Sequence, residues 1–209
     1  MSLDHIVLAV PDLAGAVADF AGRTGVAPAR GGSHVGLGSA NHLVGLGGTA
    51  YLEIVGPDPD QPDPSGPRPF GIDELAGPRV VTWAVHPADV DAVVRAARAA
   101  GYDPGDAASM SRRTPDGELL EWRLTPPALD DGMGLVPFLI DWGTTPHPTT
   151  RDLPSVPLLE WRAEHPEPER VRAALTALGV ELDVIQGPRP ALVAVVGGAD
   201  GPVRLGAPA

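Results

Sequence analysis

The chain has 209 residues, enough for one or two domains and a sizeable buried core. Its 27 acidic residues against 15 basic ones give a formal charge of -12, which repels phosphate backbones and sets nucleic acid aside as a partner. It has no cysteine, which excludes a disulfide framework, a thiolate nucleophile and a zinc knuckle.

No apolar run is long enough to span a bilayer, and no basic flank leads into a cleavable leader, so a cytoplasmic protein with no membrane partner is expected. Proline and glycine are abundant, but they punctuate apolar segments at intervals, which favours a folded, loop-rich chain.

The first predicted strand runs from Leu3 to Val10 and carries His5. A helix follows with Leu13, Val17 and Phe20 on one face, ended by Gly25. His34 lies in the glycine-rich "GGSHVGLG", where the glycines either admit close approach of a ligand to the backbone or make a flexible loop. "NHLVGLGGTAYLEIVG" reads as a hairpin around Gly47-Gly48, with Asn41 and His42 facing opposite ways at its start and Glu53 near its end. Residues 1–57 form this first unit.

Residues 58–78 are a proline-rich acidic connector, with Phe70, Ile72 and Leu75 as apolar anchors; it is either ordered against the body or a mobile lid. The second unit, 79–130, repeats the pattern. Its strand is Val80 to Val85, its helix face is Val90, Val93, Val94 and Ala97, and its stop is Gly101. "SMSRRTPDGELLEWRLT" is its hairpin, turning at Pro115-Asp116-Gly117. Arg112 and Arg113 point opposite ways, and one of them, with Arg113 as the candidate, offers a planar fork for a carboxylate or phosphate; a surface ion pair is the alternative.

Glu121 sits at the centre of an apolar strand and shares a face with Leu119 and Arg123. Three readings stay open: a metal ligand, an ion pair with Arg113 or Arg123, or a solvent-facing charge. Residues 131–156 hold one extra strand, near Val136 to Trp142, and a loop, with Asp141 and His147 as an acid-base pair or as loop anchors. The third unit, 157–209, has a strand from Leu158 to Ala163, a helix face of Val171, Leu175 and Leu178, a stop at Gly179 and a turn at Asp200-Gly201. His165 is placed on the surface. The third copy has three available roles: completing a cup with the extra strand, capping the first cup, or forming a homodimer contact.

The repeated unit, the opening "LDHIVLAVPDL" and the closing "PDGELLEW" resemble the vicinal oxygen chelate superfamily of glyoxalase I, extradiol dioxygenases and bleomycin-resistance proteins. "GGSHVGLGSANHLVGLGGTAYLEIVGPDPDQP", "SRRTPDGELLEWRLT" and "PFLIDWGTTPHP" are similar to its glyoxalase-like domain proteins. The resemblance implies an α+β fold of βαβββ modules whose curled, mixed sheets form a cup. It implies a divalent metal (Zn, Mn, Ni or Fe) held by His5, Glu53 and Glu121, with the fourth family position falling at Val80 or Val81, which cannot ligate. Glu53 or Glu121 then acts as catalytic base; His34, Asn41, Arg113, Asp141 and His147 are the candidate substrate contacts that the residues' own placement offers. The implied activity is that of a lyase, isomerase or dioxygenase acting on a small oxygen-rich molecule. The alternative is a metal-free protein that sequesters a small molecule.

Overall fold

The computed structural model describes residues 1–114, 116–129 and 134–206. Pro115 of the predicted turn lies outside them. Among the described residues twelve strands and three α-helices follow in the order of three βαβββ units.

The first unit is β1 (Leu3–Ala9), α1 (Leu13–Thr24), β2 (Ala29–His34), β3 (Ser39–Gly47) and β4 (Ala50–Pro57). Asp12 caps α1 by accepting from the Gly15 N–H at 3.0 Å, and Gly25 closes it in the left-handed conformation. The second is β5 (Arg79–Val85), α2 (Val90–Ala99), β6 (Ala108–Arg113), β7 (Leu119–Leu124) and β8 (Phe138–Asp141). Asp89 caps α2 in the same way, accepting from the Ala92 N–H at 2.8 Å. The hairpin of β6 and β7 closes through the Thr114 N–H and the Glu118 carbonyl at 2.9 Å.

These eight strands close into a barrel in the order β1-β4-β3-β2-β6-β7-β8-β5. The two units are alike: β1 pairs in parallel with β4, and β5 in parallel with β8. The stretch expected as an extra strand is therefore the fourth strand of the second unit. It takes the place relative to β5 that β4 takes relative to β1. The long excursion between β7 and β8 hid this, because the first unit turns from β3 to β4 in a tight hairpin.

The third unit is β9 (Leu158–His165), α3 (Pro168–Leu178), β10 (Asp183–Gln186), β11 (Ala191–Gly198) and β12 (Gly201–Arg204). Its element order matches the repeat, but its sheet order, β10-β9-β11-β12, does not. β9 pairs in parallel with the strand just after its helix instead of with the last one. The unit therefore forms an open sheet beside the barrel and adds no strand to it.

Two cores result. One lies outside the barrel wall, where Ile6, Leu8, Trp83, Val94 and Leu175 join the helices to the third unit's sheet. The other fills the barrel, with Val7, Tyr51, Val81, Leu120, Trp122 and Phe138 among its members. Ile72, from the connector, is buried in this inner core with Phe70 and Leu75 packed against it, so the connector is ordered against the barrel. His165 is buried rather than on the surface; its Nδ1 accepts from the Glu167 N–H at 2.9 Å. Among the described residues, no helix is long and apolar enough to cross a membrane.

Candidate functional site

A cavity of about 60 Å³ opens inside the barrel. A buried water needs roughly 10–15 Å³ by the same measure, so the space holds a handful of non-hydrogen atoms. Its polar wall is His5, His34, Asn41, Glu53 and Arg112, and its apolar wall includes Trp122, Phe138 and Trp142. Pro69 and Phe70 of the connector cover it. Phe70 has φ 61°, a left-handed conformation that a bulky residue adopts only when its surroundings hold it there.

Strand alternation explains the polar wall. In β1 the inner face carries His5, Val7 and Ala9. A register shift between Leu3 and His5, where β1 meets β5, brings the neighbouring Asp4 inside as well. Asp4 is 2 % exposed and has three hydrogen-bond partners. His5 Nδ1 lies 2.6 Å from Oδ1, while Trp142 Nε1 and His147 Nε2 lie 3.1 and 3.0 Å from Oδ2. Burial alone would raise the Asp4 carboxyl, but the hydrogen bonds from His147 and His5 outweigh it and hold the group well below the usual carboxylate range. An ionised Asp4 fixes the His5 proton on Nδ1 and turns a free Nε2 toward the cavity.

Glu53 reaches the cavity from β4. Its Oε2 is 3.8 Å from His5 Nε2, and its Oε1 is 3.6 Å from His34 Nε2. The Asn41 side-chain amide donates to Oε1 at 2.5 Å, and the Asn41 carbonyl accepts from Arg112 Nη1 at 3.1 Å. One asparagine thus links a buried carboxylate on β4 to a buried guanidinium on β6, across four neighbouring strands. Burial holds the His34 imidazole below its ordinary value against the opposing pull of Glu53, so His34 is neutral at pH 7; its Nδ1 lies 3.0 Å from Ser39 Oγ. Tyr51 stacks on His5 at 4.8 Å, and burial pushes its phenol well above the ordinary value.

The sequence reading of His5, His34, Asn41 and Glu53 thus converges on one cavity. Other assignments are corrected. Glu121 is exposed on the outer face of β7, because the inner face is the apolar series Leu120, Trp122 and Leu124. Arg113 is also exposed and donates to the Gly117 carbonyl at 2.9 Å; its neighbour Arg112 is the one that points inward. Asp141 caps the Gly143 N–H at 2.9 Å on the outer side, so the acid beside His147 is Asp4. Asp4, Tyr51 and Trp122 were missed, and of the arginine pair the outward member, Arg113, was taken in place of Arg112. The signal for Trp122 was the alternation of β7 itself, and Arg112 on β6 stands opposite the inward Leu120 of that strand.

These placements decide the metal fit. His5 and Glu53 face the cavity without Glu121, and the second unit presents Val81, Phe138 and Ile140 on the facing strands. Among the described residues no group of three or more His, Asp or Glu side chains is placed to hold a metal ion. The donor set does not fit the divalent ion that the resemblance implied.

The sequence profile of the glyoxalase-like domain family matches residues 3–179. The chain belongs to this family. With it the glyoxalase-like chain joins the vicinal oxygen chelate superfamily. A hypothetical protein from Staphylococcus aureus shares the fold with a TM-score of 0.57 at 14% identity, covering 97% of this chain and 84% of that one. Methylmalonyl-CoA epimerase from Mycobacterium tuberculosis gives a TM-score of 0.44 at 19% identity, over 71% of this chain and 91% of that one. A mutant 4-hydroxymandelate synthase from Streptomyces coelicolor gives 0.42 at 16% identity, over 98% of this chain and 62% of that one. No curated protein sequence matches the glyoxalase-like chain.

Proposed function

We propose that the barrel cavity is an active site for proton transfer on a small oxygen-rich molecule, in the manner of an isomerase or lyase. The observation that carries this reading is the Asp4–His5–Glu53 arrangement. His5 Nε2 and Glu53 Oε2 stand 3.8 Å apart at the cavity wall, each unbonded to the other, with Asp4 orienting the imidazole from behind.

A carbon acid next to a carbonyl would lose its proton to this pair, and the C–H electrons would move into the carbonyl to leave an enolate. A proton received on His5 makes an imidazolium between two carboxylates, Asp4 and Glu53. The same group then returns the proton to carbon. General base catalysis of this kind is worth about 10²–10⁴-fold. No step runs through a metal, since the implied donors His5, Glu53 and Glu121 do not meet: Glu121 lies outside the barrel. The buried Arg112 in the same cavity weighs against capture of a cationic ligand, the alternative use of such a fold.

Hydroxyacetone, dihydroxyacetone, pyruvate and 2-oxobutyrate incubated in D₂O with EDTA provide the test, read as loss of the C–H signal by proton NMR. Wild type is expected to speed exchange in at least one of them, and His5→Gln and Glu53→Gln to lower that rate about 100-fold or more. Exchange at the buffer rate in all four, or a rate that vanishes with EDTA, would sink the metal-independent proton-transfer reading.

A further inference from the structure

Arg112 and Trp122 hold more hydrogen-bonding capacity than the protein uses. Arg112 is 4 % exposed, and among the described residues its side-chain hydrogen bond runs from Nη1 to Asn41 Oδ1. A guanidinium carries five N–H donors in a rigid fork and keeps its charge when buried. Trp122 is 9 % exposed, and its indole N–H has no partner among the described residues although the atom is buried. Buried donors are nearly always paired, so the unpaired indole N–H of this cavity-lining side chain is a donor held in reserve.

The register brings the two together. Arg112 on β6 stands opposite Leu120, and Trp122 on β7 stands opposite Met110. Arg112 and Trp122 are therefore diagonal neighbours on the inner face, within reach for long side chains. Both line the cavity that holds His5 and Glu53. The remaining apolar wall supplies no competing acceptor.

We infer that Arg112 and Trp122 form a carboxylate subsite, so that the molecule worked on is a small monocarboxylate carrying a second oxygen on the adjacent carbon. The inference rests on the proton-transfer reading for the role of that second oxygen. The guanidinium fork matches a planar carboxylate with two parallel bonds, and the indole N–H adds a third donor from the side. Glu53 and Asn41 hold Arg112 at the cavity wall, which limits the entropy lost on binding. The cavity volume sets the size: a chain of about three or four carbons fills the space. The anchored carboxylate leaves its α-carbon and the adjoining group to face the His5–Glu53 pair.

Calorimetric titration with pyruvate, methyl pyruvate, pyruvamide and inorganic phosphate tests the subsite by itself. Pyruvate is expected to bind wild type at least tenfold more tightly than the ester, the amide or phosphate. Arg112→Gln is expected to abolish that preference. Trp122→Phe, which keeps the aromatic packing, is expected to weaken pyruvate about tenfold and leave the neutral analogues unchanged. Equal binding of pyruvate and its neutral analogues, tighter binding of phosphate, or an unchanged preference in Trp122→Phe would overturn the inference, and the last holds even if Arg112→Gln fails to fold. Selective pyruvate binding without deuterium exchange would sink the proton-transfer reading and leave the subsite standing. Exchange confined to the neutral ketones would do the reverse.

Discussion

A methyl group on Gly31 would collide with Asn41 Oδ1 and Arg112 Nη1, so the bond between those two side chains exists because β2 carries no side chain there. Gly31→Ala is expected to destabilise the protein by about 1–3 kcal/mol, as overpacking does, and to loosen the Arg112–Asn41–Glu53 chain. Urea unfolding checks it against Gly22→Ala, which adds a methyl to α1 in open space and is expected to be neutral or stabilising. The glycines of "GGSHVGLG" were legible as places of close approach, but what approaches is the protein's own polar pair. The error over Glu121 and Arg113 has the same scale. Leu120, Trp122 and Leu124 are apolar while Glu121 and Arg123 are charged, so alternation alone places Glu121 outside. The ligand role that the resemblance implied for Glu121 needs β7 to be the last strand of its unit, which is β8. Asp4 was illegible for a different reason: alternation puts it opposite His5, and only the register shift against β5 brings it to the same side.

Helices, strands and hairpins were readable one by one, since each has its own period, cap or turn. Sheet order was not, because it depends on which strands meet across a long connection, as β8 does with β5 and β9 does with β10. The connector raised the same difficulty: its composition fits an open loop, yet Ile72 is 1 % exposed in the barrel core. Arg68 ties the segment down further, donating to the Gly38 carbonyl at 2.9 Å and pairing with Asp63 and Asp73 at 2.7 Å each. These exposed pairs contribute little individually, so the apolar anchor dominates. Ile72→Ala is expected to cost about 2–5 kcal/mol locally. Hydrogen exchange is the measurement: amides of residues 68–75 should exchange on the order of 100-fold faster while those of β1 and β4 keep their protection. Uniform loss of protection would mean that the connector is not a separable cover.

At the scale of the whole molecule, two closely packed layers share the wall of β1 and β5, and the interior layer holds several ionisable groups. Burial lowers the His34 pKa in the folded state, so the unfolded chain takes up a proton that the folded one refuses. Stability is therefore full above the unfolded histidine value of about 6.5 and falls as pH drops below it. Asp4, lowered instead by its hydrogen bonds, contributes stability above the unfolded carboxylate value of about 3.9 and loses it in stronger acid. Denaturant melts at pH 7.5, 6.5 and 5.5 are expected to show a decline that His34→Gln reduces; an identical decline in that variant would refute the assignment. The tryptophans carry a different consequence. All four stand in two pairs, Trp122 with Trp142 at 5.4 Å on the cavity wall and Trp83 with Trp161 at 5.5 Å in the outer core. Indoles this close couple their electronic transitions, so each layer carries its own chromophore. A change in near-ultraviolet dichroism or emission that tracks a filled cavity belongs to the first pair, and one that tracks separation of the outer sheet belongs to the second. With Trp161→Phe silencing the outer pair, the protein becomes a label-free optical gauge of what enters its barrel.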